Sequence, residues 1–223
     1  MSKAKTAFFC QNCGYESTKW LGRCPSCQQW NSFVEELIQK ENKKSSASTW
    51  QTYNGNEVSK KIQPLHKIKA QDTQRYVTTD PELNRVLGGG IVPGSIVLIA
   101  GEPGIGKSTL FLQMGLQIQE LTTLYISGEE SEQQIKMRAD RLNLKNEIFY
   151  LLTETSTQSI FNEIKKLQPG LVIVDSIQTL ESSFIESSPG SVSQIRECAA
   201  EFQQFAKETN TPVFLIGHIT KDG

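Results

Sequence analysis

Gly101-Glu-Pro-Gly-Ile-Gly-Lys-Ser108, with Thr109 following, decides how this chain is read. The stretch fits G-x-x-x-x-G-K-[ST], the phosphate-binding P-loop. Its flanks agree. Ser95-Ile-Val-Leu-Ile-Ala100 is a short apolar, β-branched run that suits a buried strand. Thr109-Leu-Phe-Leu-Gln-Met-Gly-Leu-Gln-Ile118 fits a helix packed on a sheet. A strand, a glycine loop and a helix start aim backbone N–H groups at one spot, which suits a polyphosphate. On this reading Gly101, Glu102, Pro103, Gly104, Ile105, Gly106, Lys107, Ser108 and Thr109 bind ATP. Lys107 reaches the β- and γ-phosphates, and Ser108 places its hydroxyl on Mg²⁺.

The chain has 223 residues and a net charge of -1, so nucleic-acid binding has to come from local patches. No apolar run reaches the ~18 residues of a membrane span. The stretch from Met1 to Cys10 carries lysines and lacks the apolar core of a secretory signal. A cytoplasmic, reducing setting is expected. There, clustered cysteines point to metal and not to disulfides.

Cys10-Gln-Asn-Cys13 and Cys24-Pro-Ser-Cys27 are two C-x-x-C knuckles. Together their four thiolates can close a tetrahedral zinc site of structural type. A redox motif usually occurs once, beside a βαβ pattern, so the doubled knuckle weighs against it. Phe8, Trp20, Leu21, Trp30 and Phe33 can pack around the metal or stack on bases. A module this small has too little core to fold without its metal. Cys198 shares a helical face with Ile195, Ala199, Phe202, Phe205 and Ala206, which makes it a core residue.

From Glu36 to Gln74 the composition turns polar and lysine-rich, as in a solvated connector, with His66 at its surface. Beyond Tyr76, strands alternate with helices. Asp80-Pro-Glu-Leu-Asn-Arg-Val-Leu-Gly88 is a capped short helix. Strands are expected over 121–127, 148–152, 171–175 and 211–217, with helices over 132–142, from Thr155 or Ser156 to Leu167, and over 192–208. This alternation means a mostly parallel sheet covered on both faces, with ligands at the carboxyl ends of its strands. Asp175 then reads as a Walker B acid for Mg²⁺, and Glu129 as the group that polarises the attacking water, with Glu130 beside it. Gln178 and His218 are candidate γ-phosphate sensors. His218 and Lys221 also suit contact with DNA.

Several features fall in one order. They are the Cys₄ knuckles, Pro81-Glu-Leu-Asn-Arg-Val-Leu-Gly-Gly-Gly90, the P-loop, Ser127-Gly-Glu-Glu-Ser131, Val174-Asp-Ser-Ile-Gln-Thr-Leu180, Pro189-Gly-Ser-Val-Ser-Gln194 and Gly217-His-Ile-Thr-Lys-Asp-Gly223. In combination they resemble the bacterial RadA (Sms) family of RecA-like DNA-repair ATPases, over essentially the whole chain. The resemblance implies a RecA-like P-loop core behind a small Cys₄ zinc ribbon. The expected layout is 1–35 zinc ribbon, 36–75 flexible linker and 76–223 ATPase domain. It implies an ATP-dependent motor on single-stranded and branched recombination intermediates, working with a RecA-type recombinase and assembling as a ring, expected to be hexameric. Lys107 and Ser108 carry over as Walker A, Asp175 as Walker B and Glu129 as the catalytic carboxylate. Glu181 to Ser193 falls where RecA-type proteins put a DNA-facing loop. Family members continue into a Lys-Asn-Arg-Phe-Gly motif and a Lon-protease-like domain. The ATPase domain is therefore expected to lack its last strands here. The rival readings are a KaiC-like regulatory ATPase, a zinc-ribbon adaptor, and a replicative-type helicase.

Overall fold

The computed structural model describes residues 5–38, 62, 64–67 and 74–219. Most of the expected linker, and Lys221, lie outside the described residues. His66 is described and exposed, as its polar surroundings predict.

The N-terminal module is a three-stranded antiparallel sheet. Its strands are β1 (Lys5–Cys10), β2 (Glu16–Ser17) and β3 (Phe33–Ile38), in the order β2-β1-β3. Cys10 pairs with Phe33, which brings the first knuckle against the start of β3. Its core is Cys10, Cys24 and Phe33, with Phe8, Leu21 and Cys27 packed against them. The aromatic residues thus divide. Phe8 and Phe33 pack inward, whereas Trp20 and Trp30 stay in solvent.

The second unit begins with α1 (Pro81–Val86). Asp80 caps it, its carboxylate accepting from the N–H groups of Glu82 at 2.9 Å and Leu83 at 3.0 Å. Then follow β4 (Ile96–Gly101), α2 (Lys107–Gln117), β5 (Thr123–Ser127), α3 (Glu132–Arg141), β6 (Phe149–Thr153), α4 (Thr157–Leu167), β7 (Leu171–Asp175), α5 (Val192–Thr209) and β8 (Val213–His218). The five strands form one parallel sheet, ordered β4-β8-β7-β5-β6. Every expected element is present, with bounds shifted by one or two residues. Helix α2 starts at Lys107 and not at Thr109, because Gly106 in the left-handed region serves directly as its N-cap.

Side chains alternate across the sheet into two cores. Leu124, Ile126, Val172, Val174, Val213 and Leu215 face α4 and α5. Tyr125, Leu171, Ile173, Phe214 and Ile216 face the side holding Phe111, Leu112 and Ile135. Covered on both faces, β5 and β7 are buried throughout, as parallel strands are. Cys198 is buried in the first core as its helical spacing predicts, and burial pushes its thiol up to about 12. Strand β4 ends the sheet among the described residues, with Leu98 61% exposed beside an open apolar groove lined by Ile177, Ile195 and Leu215. No helix among the described residues is long and apolar enough to cross a membrane.

Candidate nucleotide and zinc sites

The parallel sheet delivers the ends of β4, β8, β7 and β5 to one edge. The loop after β4 turns through Gly104 (φ 81°) and Gly106 (φ 94°), a backbone conformation that favours glycine. Residues 102–106 are exposed, and the amino end of α2 follows them. Exposed N–H groups ahead of a helix start form an anion cradle. Lys107 is buried beneath the loop, and its Nζ donates to Gly101 O and Glu102 O, each at 2.8 Å. A third neighbour is His218 Nδ1 at 3.3 Å. If Nδ1 accepts from the lysine, the ring proton sits on Nε2, which lies 3.7 Å from Glu129 Oε1, beyond direct hydrogen-bond reach. The same Glu129 oxygen accepts from Ser176 Oγ at 2.6 Å. Lys107, His218, Glu129 and Ser176 therefore stand in one row of polar groups across the carboxyl ends of four neighbouring strands.

Asp175 ends β7 and is buried, with its carboxylate accepting from the hydroxyl of Tyr125. Burial, and then the Asp175 charge, push the Tyr125 hydroxyl far above its ordinary range, so it stays protonated and donates. The Asp175–Ser176 peptide is cis. Gln178 donates to His218 O at 2.9 Å. It thereby ties the short turn after β7 to the end of β8.

Glu130 does not join this row. Arg138 of α3 grips both of its carboxylate oxygens. Glu130, expected beside Glu129 as an assisting acid, is thus engaged by an arginine of α3. The turn sets Glu129 toward Ser176 and Glu130 toward α3. Gly128 makes that turn possible, since a Cβ there would sit 2.1 Å from Thr179 Oγ1.

Four contributors escaped the sequence reading: Tyr125, Ser176, Arg138 and Gln194. The buried Gln194 amide donates to Ser182 O at 3.3 Å, Ile185 O at 3.1 Å and Ser187 O at 3.1 Å, and so ties the 181–193 segment to α5. A tyrosine flanked by Leu124 and Ile126 in a buried strand was the one available signal for Tyr125. The others depend on strand order.

In the zinc ribbon, the sulfurs of Cys10, Cys13, Cys24 and Cys27 lie within 4.8 Å of one another. The Cys10–Cys27 and Cys13–Cys24 separations are 3.6 Å and 3.5 Å. Tetrahedral Zn–S bonds of about 2.3 Å call for sulfur separations of about 3.8 Å, so the cluster fits the ion. Burial raises the Cys10 thiol, but its hydrogen bond with Ser32 Oγ and those with the Cys13 and Asn12 backbone outweigh it and lower the thiol to about 6. Burial pushes Cys13 up to about 11, and its neighbouring thiols add to the rise. Four sulfurs this close cannot all ionise without a cation among them.

Comparison with known proteins agrees with both sites. Residues 63–223 match the family model described as AAA domain. The chain belongs to the AAA-domain family. Residues 8–35 match the model described as a rubredoxin metal binding domain. Among curated proteins, this AAA-domain chain is similar to DNA repair protein RadA of Halalkalibacterium halodurans, 51% identical over 225 residues, covering 100% of this chain and 48% of the relative. It is similar to DNA repair protein RadA of Bacillus subtilis, 48% identical with the same coverage. RadA of Listeria monocytogenes is 47% identical, again over all of this chain and 48% of the relative. The chain spans about half the length of the curated relatives it matches. The resemblance to RadA drawn from the ordered motifs is borne out, as is a RecA-like parallel core behind a Cys₄ ribbon.

Proposed function

We propose that this chain carries the nucleotide site of a DNA-dependent ATPase of recombinational repair, acting on single-stranded and branched intermediates and driving branch migration. The layout we infer is a zinc ribbon over 1–35, a connector over 36–75 and an ATPase domain from 76 onward. The observation that carries the reading is the polar row from Lys107 through His218 and Glu129 to Ser176, set beside an open P-loop.

Within it, the roles follow from chemistry. The N–H groups of Glu102, Gly104, Ile105 and Gly106 and the start of α2 bind the polyphosphate of ATP. Lys107 exchanges its two carbonyl acceptors for β- and γ-phosphate oxygens. Ser108 and Asp175 would hold Mg²⁺, which neutralises charge on the phosphates when bound. Tyr125 orients the Asp175 carboxylate toward that task. Glu129 polarises the attacking water. Its hydrogen bond to Ser176 fixes the carboxylate, and His218 sits where it senses both the lysine and the base. Gln178 holds His218 through its carbonyl. The zinc ion is structural, because four thiolates leave no open position.

In the relatives' full length, we infer a cytoplasmic ring, a hexamer in our reading, working with a RecA-type recombinase on DNA. The relatives named DNA repair protein RadA support this reading over a clock-type regulator or an adaptor. The test is ATP turnover with and without single-stranded DNA in a chain of the relatives' length. Stimulation by the strand is expected. Turnover indifferent to DNA overturns the motor reading.

A further inference from the structure

Neither site uses the surface at the tip of the zinc ribbon. Trp20 is 54% exposed and Trp30 68% exposed. The metal core does not need them, since it is built from Phe8, Leu21, Phe33 and the cysteines. The two indoles converge on Gly22. A Cβ there would meet Trp20 ring atoms at 3.6 and 3.7 Å and a Trp30 ring atom at 3.9 Å. Arg23 lies 5.7 Å over the Trp30 ring. Its guanidinium is pinned, with Nε donating to Gln28 O at 3.0 Å and Nη2 to Gln28 Oε1 at 2.7 Å. Arg23 and Trp30 also face each other in a β-bridge, and Asn31 N donates to Gly22 O at 2.9 Å. These contacts tie the two sides of the hairpin together and hold both indoles on its surface.

Charge adds the second observation. Residues 19–31 contain Lys19 and Arg23 and no acidic residue. The acids of the ribbon with described side chains, Glu16 and Glu35, stand on β2 and β3. Two indoles side by side in water are costly and mark an interaction site. Flanked by cations with no acid in the hairpin, they suit a ligand that presents flat π faces at intervals along an anionic backbone.

We propose that Trp20 and Trp30, with Arg23 and Lys19, form a stacking platform for the bases of a single-stranded nucleic acid. A duplex keeps its base faces stacked inside and offers this surface nothing. The inference rests on the DNA reading above and adds where a strand is gripped.

The test uses the zinc-loaded 223-residue chain, a labelled oligothymidylate, and an abasic strand of the same length, at low salt. Wild type is expected to bind oligothymidylate with quenching of indole emission, and to bind the abasic strand at least ~10-fold more weakly. The Trp20→Leu, Trp30→Leu double variant keeps apolar bulk and loses the π faces. It is expected to retain zinc and lose ~10-fold or more in affinity, while Trp20→Phe, Trp30→Phe keeps most of it. If the leucine variant binds unchanged, or the abasic strand binds as well as oligothymidylate, the platform is wrong while the DNA reading stands. The surface would then face a protein. If wild type binds neither strand, the platform is wrong, and the DNA reading is decided separately by strand-stimulated turnover in a chain of the relatives' length. Should the leucine pair release zinc, wild-type emission decides, because indoles left unquenched by bound oligothymidylate overturn the proposal.

Discussion

Replacing Glu129 and Glu130 in turn by glutamine separates two adjacent acids that the fold has given different partners. Glu129→Gln keeps an oxygen for the Ser176 hydroxyl, so the 2.6 Å contact survives with a neutral acceptor. A hydrogen bond to a charged group contributes about 1.5–3 kcal/mol and a neutral one about 1. Glu129 is half-exposed, so solvent screens the difference and the stability cost should stay within about 1 kcal/mol. Catalysis should suffer far more. A lost general base costs ~10²–10⁴-fold in turnover, because the amide no longer draws a proton from water. Glu130→Gln should behave in the opposite way. It breaks the two-oxygen grip of Arg138, whose side chain is only 20% exposed, and should cost about 1–2 kcal/mol of stability. Turnover should stay within a few-fold of wild type. The assay is phosphate release at saturating Mg-ATP with single-stranded DNA, in a chain of the relatives' length. Calorimetric ATP binding and chemical denaturation accompany it. Full turnover in Glu129→Gln, or a ~10²-fold loss in Glu130→Gln with ATP still bound, would refute the assignment.

Lys107→Ala should weaken Mg-ATP binding by about 2–3 kcal/mol, or ~30- to 150-fold, since a buried cation trades two carbonyls for phosphate oxygens. Equal affinities by calorimetry would sink the P-loop assignment. Cys13→Ser should release zinc and melt the ribbon while the parallel core, a separate set of buried residues, keeps its own transition. Metal analysis finding zinc retained at one per chain would contradict this. Tyr125→Phe leaves the Asp175 carboxylate without its buried donor and should cost about 1–3 kcal/mol of stability, read by denaturant titration. For pH, the N–H groups of Ser156, and then Thr155, hold the Glu154 carboxyl below its ordinary 4.5. A depressed folded value gives stability that is present above about 4.5 and lost as pH falls through the lower folded value. The stability gap between wild type and Glu154→Gln should therefore be constant at neutral pH and close in acid. A gap that widens in acid would contradict this.

The parts legible in the sequence are those built from contiguous residues. The P-loop needs positive φ at Gly104 and Gly106 beside a helix start, and one short string specifies all three. The two cysteine knuckles are equally local, since each turn presents two sulfurs on its own. Asp80 announces α1 by capping it, and continuous apolar runs announce β7 and β8 because both faces are covered. What the string could not determine is which distant groups meet. His218 reaches Lys107 across 111 positions, because β8 inserts between β4 and β7. Tyr125 finds Asp175 because β5 lies beside β7 in register, Ser127 against Asp175. Glu129 and Glu130 look alike as letters, yet a turn crowded against Thr179 sends one to the site and the other to Arg138. The exposure of Trp20 and Trp30, against the burial of Phe33, is likewise decided by which side chains the small metal core has room for. Local strings fix backbone conformation, but partner choice is a property of strand order and packing, which the whole chain decides together.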